Sequence, residues 1–155
     1  MAIAIERLIE RPECLPLLAD WLLAEWPESV GHARSEALIN MAGRTNLHRL
    51  PLGLVAFDDG WPVGMATLAL DRAPPELEFK TAYLPCLTTL YVDPPARRRG
   101  IGTLLCDAIA GEAARLGRSE IFLYTLDAAE FYRARNWQQL TDATPVFMRR
   151  SLATS

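Results

Sequence analysis

Residues 86–105 have the sequence CLTTLYVDPPARRRGIGTLL, and the other predicted elements can be placed around them. The residues over 86–92 are mostly apolar or favour extended structure, which predicts a buried strand. Asp93, Pro94 and Pro95 end this strand, because a proline cannot donate a hydrogen bond to a β-ladder. Helical periodicity begins at Thr103, directly after RRRGIG. The stretch is therefore predicted to be a strand, a tight loop and the first turns of a helix.

The loop in this stretch has the composition of an anion-binding site. Gly100 and Gly102 carry no Cβ, so the backbone can turn sharply and a ligand can approach it closely. The first amides of the following helix lack intrahelical partners, and the helix dipole favours negative charge beside them. Arg97, Arg98 and Arg99 add positive charge. The pattern predicts a cradle for a phosphate or pyrophosphate group.

Other interpretations of the loop stay open on these residues alone. Three adjacent arginines are also typical of a solvated basic turn, and a lone Gly-x-Gly is a weak motif. No Gly-Lys-Ser/Thr follows, which excludes the P-loop motif, and the three-glycine dinucleotide pattern is incomplete. The phosphate-binding role needs support from a second motif.

The sequence has two motifs that together resemble the GCN5-related N-acetyltransferase (GNAT) superfamily. Residues 92–102, VDPPARRRGIG, are similar to its acetyl-CoA signature, Arg/Gln-x-x-Gly-x-Gly/Ala at a strand–helix junction. Residues 131–137, FYRARNW, look like its second signature, Phe-Tyr-x-x-x-Gly-Phe, with Asn-Trp in place of Gly-Phe. The motifs have the family's order and separation, and the resemblance covers about residues 86–140.

The resemblance implies an acetyl-CoA-dependent N-acetyltransferase that needs no metal and acetylates a primary amine of a small molecule or peptide directly. Tyr132 is implied to be the general acid for the departing thiolate, with a ring packed against the sheet as the alternative. The backbone amides of Leu90, Tyr91 and Val92 are implied to hold the acetyl carbonyl and the pantetheine arm, where the central strand splays from its neighbour. The other implied cofactor contacts are Arg97, Arg98, Arg99, Gly100, Ile101, Gly102, Thr103 and Asp127.

The resemblance leaves two points of the mechanism open: the role of Asp127 and the identity of the general base. Asp127 stands where the family often has an asparagine, and an N-cap of a helix over 128–135, with Glu130 at N3, is the alternative role. No spacing argument singles out a general base, and a water relay or an amine that arrives deprotonated is equally consistent. The candidate bases are Glu25, Glu76, Glu78, Asp93, Asp127, Glu130, His32 and His48. The three cysteines have no placed His/Asp companion, so no covalent enzyme intermediate is expected.

The acceptor pocket is expected, by analogy with the family, from residues 20–50, the loop 71–85 and the C-terminal strands. The candidates there are Trp21, Trp26, Arg34, Arg44 and Arg49. Short segments, among them EWPESV, are faintly similar to the actin N-terminal acetyltransferase branch, which acetylates acidic N-termini. Arginines near the pocket would suit an acidic acceptor, and an ordinary surface role is the alternative.

Composition excludes several other classes. The 155 residues predict one domain over 1–155, and the net charge of −3 gives no reason to expect nucleic acid or an anionic membrane as partner. Three widely spaced cysteines and two histidines argue against a disulfide framework or a zinc site. MAIAIERLIE lacks the pattern of a signal peptide and no run is long enough to span a bilayer, so a cytoplasmic location is expected. A homodimer stays open.

Periodicity along the chain predicts a mixed-sheet α/β (α+β) fold. Helices are predicted over 12–26, 31–42, 101–116 and 128–135, and strands over 2–9, 52–57, 61–70, 86–92 and 121–126, with one or two more in 136–150. Asp58, Asp59 and Gly60 between two apolar runs are a strong hairpin signal. The resemblance adds a mostly antiparallel sheet of about six or seven strands with helices on both faces. A non-catalytic acyl-CoA-binding or regulatory domain and a nucleotide-binding protein are the alternative functions.

Overall fold

A computed structural model describes residues 2–77 and 83–152 of the chain. The strands are β1 (Ile3–Arg7), β2 (Leu52–Asp58), β3 (Trp61–Asp71), β4 (Leu84–Val92), β5 (Glu120–Thr125), β6 (Gln138–Gln139) and β7 (Val146–Ser151). The α-helices are α1 (Leu15–Glu25), α2 (Arg34–Ala42), α3 (Ile101–Arg115) and α4 (Ala129–Arg133). Short 3-10 turns occupy Leu8–Glu10, Pro12–Cys14, Pro27–Val30 and Pro94–Ala96.

The described strands form one seven-stranded sheet in the order β1-β2-β3-β4-β5-β7-β6. Neighbouring strands are antiparallel except for β4 and β5, which are parallel. The predicted fold class, a mixed and mostly antiparallel sheet, is confirmed. β4 lies in the middle of this order, as the resemblance implies for the strand over 86–92.

Helices cover both faces of the sheet, because the side chains of its strands alternate between two apolar clusters. On one face Leu54 of β2 packs in a core with Leu105 of α3. On the opposite face Val55 and Phe57 pack in a second core with Leu18 of α1 and residues of α2. The period-two pattern of β2 thus buries both of its faces.

The structure corrects the predicted starts of two helices, α1 and α2. α1 begins at Leu15 because Pro12–Cys14 form a 3-10 turn, and α2 begins at Arg34 because Gly31 and His32 adopt positive φ angles. Asp127 is not an N-cap, so that alternative role is wrong. α4 begins at Ala129 without a side-chain cap, and the preceding amide of Ala128 donates to the hydroxyl of Thr125 instead (3.0 Å).

Strand β4 contains a bulge opposite β3. Met65 pairs with Tyr91 and Thr67 pairs with Thr88, so two residues of β4 lie opposite one residue of β3. Thr89 lies in this bulge with a φ of 55°, a left-handed conformation that β-branched residues rarely adopt. Because a bulge bends its strand and re-aims its backbone groups, β4 turns away from its regular course at this point.

The parallel contact between β4 and β5 is short. In the described part of the chain, Cys86 of β4 and Phe122 of β5 are the one pair of residues that the two strands bring opposite each other. Residues 87–92 and 123–127 then line the two sides of a gap in the sheet. The splay that was expected at Leu90–Val92 is therefore present next to the bulge. None of the helices formed by the described residues has the length and apolarity that a bilayer-spanning segment requires.

Candidate active site

A cavity of about 900 Å³ occupies the gap between β4 and β5. We call one part of it the basic end, which is lined by Arg97, Arg98, Gly100, Ile101, Gly102, Thr103, Phe131, Tyr132 and Arg135. We call the other part the acidic end, which is lined by Glu25, Trp26, Asp71, Cys86, Thr88 and Tyr124. Tyr132 belongs to the core on the α3 face, whereas Trp26 packs in the core on the α1 face. The cavity therefore connects the two faces of the sheet.

The first turn of α3 presents unpaired backbone donors to the basic end. Gly100 is the N-cap residue at a φ of 80°, and no side chain caps the helix. The N–H groups of the following turn consequently have no intrahelical acceptor. A Cβ built on Gly102 would lie 3.9 Å from Phe131 Cζ and 4.0 Å from Val92 Cγ2, both in the cavity wall. Glycine thus leaves open the space directly in front of these donors.

The three adjacent arginines have three different environments. Arg97 donates from Nε to the carbonyl of Val92 (2.8 Å), and its guanidinium lies 5.6 Å from the centre of the Tyr91 ring. Arg98 lines the cavity from a φ of 65°, and its side chain has no partner among the described residues. Arg99 is outside the lining, because its Nη2 pairs with Asp58 Oδ2 at the end of β2 (2.5 Å). Arg98 is the member of the triplet that is available to a ligand.

Tyr132 places a protonated hydroxyl at the basic end. Its ring is buried on α4, in edge-to-face contact with Phe131 (5.0 Å between centroids) and Trp137 (5.7 Å). Burial raises the pKa of Tyr132 well above its ordinary value, and the negative charge of Asp127 adds to the shift. The hydroxyl therefore keeps its proton at neutral pH and can donate it. The ring packing and the position at the cavity occur together, so the two predicted roles do not exclude each other.

Arg135 connects the two walls of the basic end, and the sequence analysis did not single it out. Its Nε donates to the hydroxyl of Thr103 in the first turn of α3 (2.7 Å), and its Nη1 donates to the carbonyl of Phe131 (2.8 Å). The guanidinium also lies 3.6 Å from the centre of the Phe131 ring. The spacing of four residues from Phe131 is the one signal in the sequence that could have indicated this contact.

The structure places some of the candidate general bases in the cavity wall and others outside it. Glu25 and Asp127 line the cavity, whereas Glu76, Asp93, Glu130, His32 and His48 do not, and Glu78 lies outside the described residues. Asp71 also lines the cavity and was missed. Its position depends on the pairing of Asp71 with Leu84 across two strands, which no local pattern reveals.

The predicted acceptor arginines do not reach the cavity. Arg34 pairs with Asp20 (2.8 Å), and Arg49 donates to the side-chain oxygen of Asn46 (3.0 Å). Arg44 donates to the hydroxyl of Thr67 (2.8 Å), and burial lowers its pKa to about 10. None of these three arginines lines the cavity. Of the predicted tryptophans, Trp26 lines it, and Trp21 packs behind it against Tyr91.

Neither a thiolate nor a metal site is built into the described part of the cavity. Cys86 lines it, and burial raises the pKa of this thiol to about 12, so the thiol stays neutral at physiological pH. A neutral, buried thiol is a poor nucleophile. Within residues 2–77 and 83–152, no group of three or more metal-ligating side chains is found.

Comparison with protein families gives one match that covers most of the chain. The family model described as "Acetyltransferase (GNAT) family" matches residues 15–137. No curated protein matches the chain by sequence.

Several solved structures have the same fold over their full length. An aminoglycoside 6'-acetyltransferase type Ii is 22% identical, with a TM-score of 0.71 over 100% of this chain and 99% of that chain. An aminoglycoside 6'-N-acetyltransferase complexed with coenzyme A is 20% identical, with a TM-score of 0.73 over 100% and 99%. The PaiA N-acetyltransferase from Thermoplasma acidophilum, in complex with coenzyme A, is 24% identical, with a TM-score of 0.66 over 97% and 99%. At these identities the similarity shows the fold alone.

Proposed function

Because this chain belongs to the acetyltransferase (GNAT) family, we propose that it transfers an acetyl group from acetyl-CoA directly to a primary amine of a small molecule or peptide. The observation that carries the proposal is a cavity that joins both faces of the sheet between β4 and β5. It has unpaired helix amides at one end and room for a second substrate at the other. Two substrates that enter from opposite faces would meet at the bulge in β4.

The basic end fits the phosphate groups of acetyl-CoA. The amides of the first turn of α3, together with the unpaired guanidinium of Arg98, would hold the pyrophosphate. The open space at Gly102 admits it. Two of the solved structures with this fold contain coenzyme A, which agrees with this assignment. When bound, acetyl-CoA supplies an activated acyl group on a thiol leaving group.

The chain's own groups supply an acid and an oxyanion site for the reaction. Tyr132 holds its proton at neutral pH and would give it to the departing thiolate, while the amine nitrogen would lose a proton to water or to a carboxylate of the cavity wall as the C–N bond forms. The backbone amides of Leu90, Tyr91 and Val92, re-aimed by the bulge, would bind the acetyl carbonyl and stabilise negative charge on its oxygen. Direct transfer needs no enzyme nucleophile, in agreement with the neutral thiol of Cys86. Asp127 lines the cavity beside Tyr132, and we propose it as a contact at the mouth for the pantetheine arm.

The test is acetyl transfer to a panel of amines, measured as thiol release and as the mass of the acetylated product. The Tyr132→Phe variant is expected to lose about 10²- to 10⁴-fold in kcat, the usual contribution of a general acid, with unchanged affinity for acetyl-CoA. Trp61→Phe is the control, because Trp61 is an exposed aromatic residue outside the cavity lining. Binding of acetyl-CoA without transfer to any amine would favour the non-catalytic acyl-CoA-binding alternative. Full activity in Tyr132→Phe would remove this residue from the mechanism.

A further inference from the structure

The acidic end of the cavity has a charge pattern of its own. Within the described part of the chain, its charged lining residues are two carboxylates, Glu25 and Asp71. Neither has an ion-pair partner among the described residues. Arg72 directly follows Asp71 in the sequence, but its guanidinium donates to the hydroxyl of Tyr83 (3.1 Å) and not to the Asp71 carboxylate. Both carboxylates are exposed and can therefore contact a ligand.

The two carboxylates lie at different positions along β4. Glu25 is the last residue of α1, beside Trp26, whose ring packs edge-to-face on Tyr91 at 6.4 Å. Asp71 is the last residue of β3 and pairs with Leu84 at the other end of β4. At about 3.3 Å per strand residue, Leu84 and Tyr91 are roughly 20 Å apart. A single ammonium group therefore cannot contact both carboxylates.

The cavity surface between Glu25 and Asp71 lies on one side of the sheet. Cys86, Thr88 and Tyr124 line it, and strand alternation places Asp71 on this side as well. The Tyr124 hydroxyl donates to the carbonyl of Arg72 (2.6 Å), which fixes the backbone beside Asp71. One oxygen of Asp71 accepts from the Arg72 amide (2.7 Å), so the other is available.

The wall beside Glu25 is aromatic. The guanidinium of Arg97 already lies 5.6 Å from the centre of the Tyr91 ring, so the Trp26 ring is the aromatic group that remains for a cation or an apolar group of the ligand. Carboxylates with aromatic walls are a recognition set for alkylammonium groups, and the arginines that would suit an acidic acceptor are engaged elsewhere. The charge at this end of the cavity is thus complementary to a positively charged acceptor.

From this arrangement we infer that the acceptor is an elongated amine with at least two cationic groups. One lies at the bulge near Glu25, where the amine is acetylated. A second one is held by Asp71 about 16 Å away, the span of the five strand residues from Thr89 to Leu84 at about 3.3 Å each. The inference rests on the proposed function, because it describes the second substrate of the same cavity. Asp71 is its specificity-determining residue.

The experiment compares α,ω-diamines with n-alkylamines of the same chain length, at saturating acetyl-CoA. We expect kcat/KM for long diamines to exceed that for the matched monoamines by about tenfold, the size of one charged hydrogen bond. Asp71→Asn is expected to abolish this advantage, so that the ratio of kcat/KM for a diamine to that for its matched monoamine falls to about one. Added salt should reduce the advantage in the wild type, because both carboxylates are exposed.

Two control variants separate a local effect from a change in net charge. Glu28→Gln and Asp59→Asn each remove one exposed carboxylate that is outside the cavity lining, and both should keep the diamine advantage. Equal kcat/KM for diamines and monoamines, or an advantage that persists in Asp71→Asn, would overturn the inference and leave the proposed function intact. Acetyl-CoA binding without acetylation of any amine would instead overturn the proposed function and this inference together.

Discussion

At the scale of single residues, Gly102 controls access to the first turn of α3. A Cβ at this position would meet the two cavity-wall side chains only at ordinary van der Waals distances of 3.9 and 4.0 Å. Gly102 also lies within the helix, where alanine is favoured over glycine by up to about 1 kcal/mol. The fold should therefore tolerate a methyl group that the ligand site does not.

We predict that Gly102→Ala keeps or slightly raises the free energy of unfolding and weakens CoA binding by at least about tenfold. Chemical denaturation and calorimetric titration with CoA measure the two quantities. Gly111→Ala is the matched control, because Gly111 also lies in α3 and a Cβ there would meet nothing within 4 Å. Undiminished CoA affinity in Gly102→Ala would show that the ligand does not approach this turn.

At the scale of elements, the position of Tyr132 depends on how α4 is held against α3. α4 is a five-residue helix without a side-chain N-cap, so it has few hydrogen bonds of its own. Arg135 joins it to α3 through the hydroxyl of Thr103 and stacks on Phe131. This bridge is a means of fixing the distance between the proposed acid and the proposed phosphate cradle.

We predict that Arg135→Met and Thr103→Val each lower kcat by about tenfold and that the double variant loses no more than either single variant. Residues that share one contact are non-additive, whereas independent contributions multiply. Arg135→Lys should not restore the rate, because an ammonium group lacks the planar fork that spans both acceptors. Multiplicative losses in the double variant would show that the two side chains act separately.

The bulge in β4 shows which local features the sequence could predict. Apolar periodicity and two prolines predict the strand over 86–92, the loop after it and the helix over 101–116, and the structure has them as β4 (Leu84–Val92) and α3 (Ile101–Arg115). Thr89 was predicted to be extended, since threonine is β-branched and favours a strand. It adopts a φ of 55° because the register with β3 requires an extra residue, and register is a tertiary property.

The candidate site also has features that the local sequence predicts and others that depend on tertiary structure. The sequence motifs predicted Gly100, Gly102 and Tyr132, and all three line one cavity. They could not distinguish Arg98 from Arg99, whose different directions depend on one positive φ angle and on Asp58 of a distant strand. The local sequence also could not predict that Asp71 lies in the cavity wall, because this position depends on the pairing of β3 with β4.

At the scale of the whole molecule, buried thiols link stability to pH. Burial raises the pKa of both Cys86 and Cys106 to about 12, compared with about 8.5 for an unfolded cysteine. Between these values the folded state binds more protons than the unfolded state, so the free energy of unfolding falls as pH rises. Below about pH 8.5 both states are protonated and the contribution is complete.

We predict that the free energy of unfolding decreases from pH 8.5 to 10, with a limiting slope of about 1.4 kcal/mol per pH unit for each of these two cysteines. Denaturant titrations across this range measure the slope. Cys86→Ala should reduce it by about the contribution of one thiol, whatever the effect of the substitution on stability at pH 7. An identical slope in Cys86→Ala would contradict the burial of this thiol in the native state.

The cavity between β4 and β5 is proposed to bind the phosphate groups of acetyl-CoA at the start of α3. A thermal-shift titration with acetyl-CoA, CoA and ATP tests it directly. A ligand that binds only the folded state should stabilise the protein by about 2.7 kcal/mol at a hundredfold excess over its Kd. We predict a clear increase in Tm with both CoA compounds and none with ATP. No increase with either CoA compound would contradict it and would make residues 97–102 an ordinary basic turn.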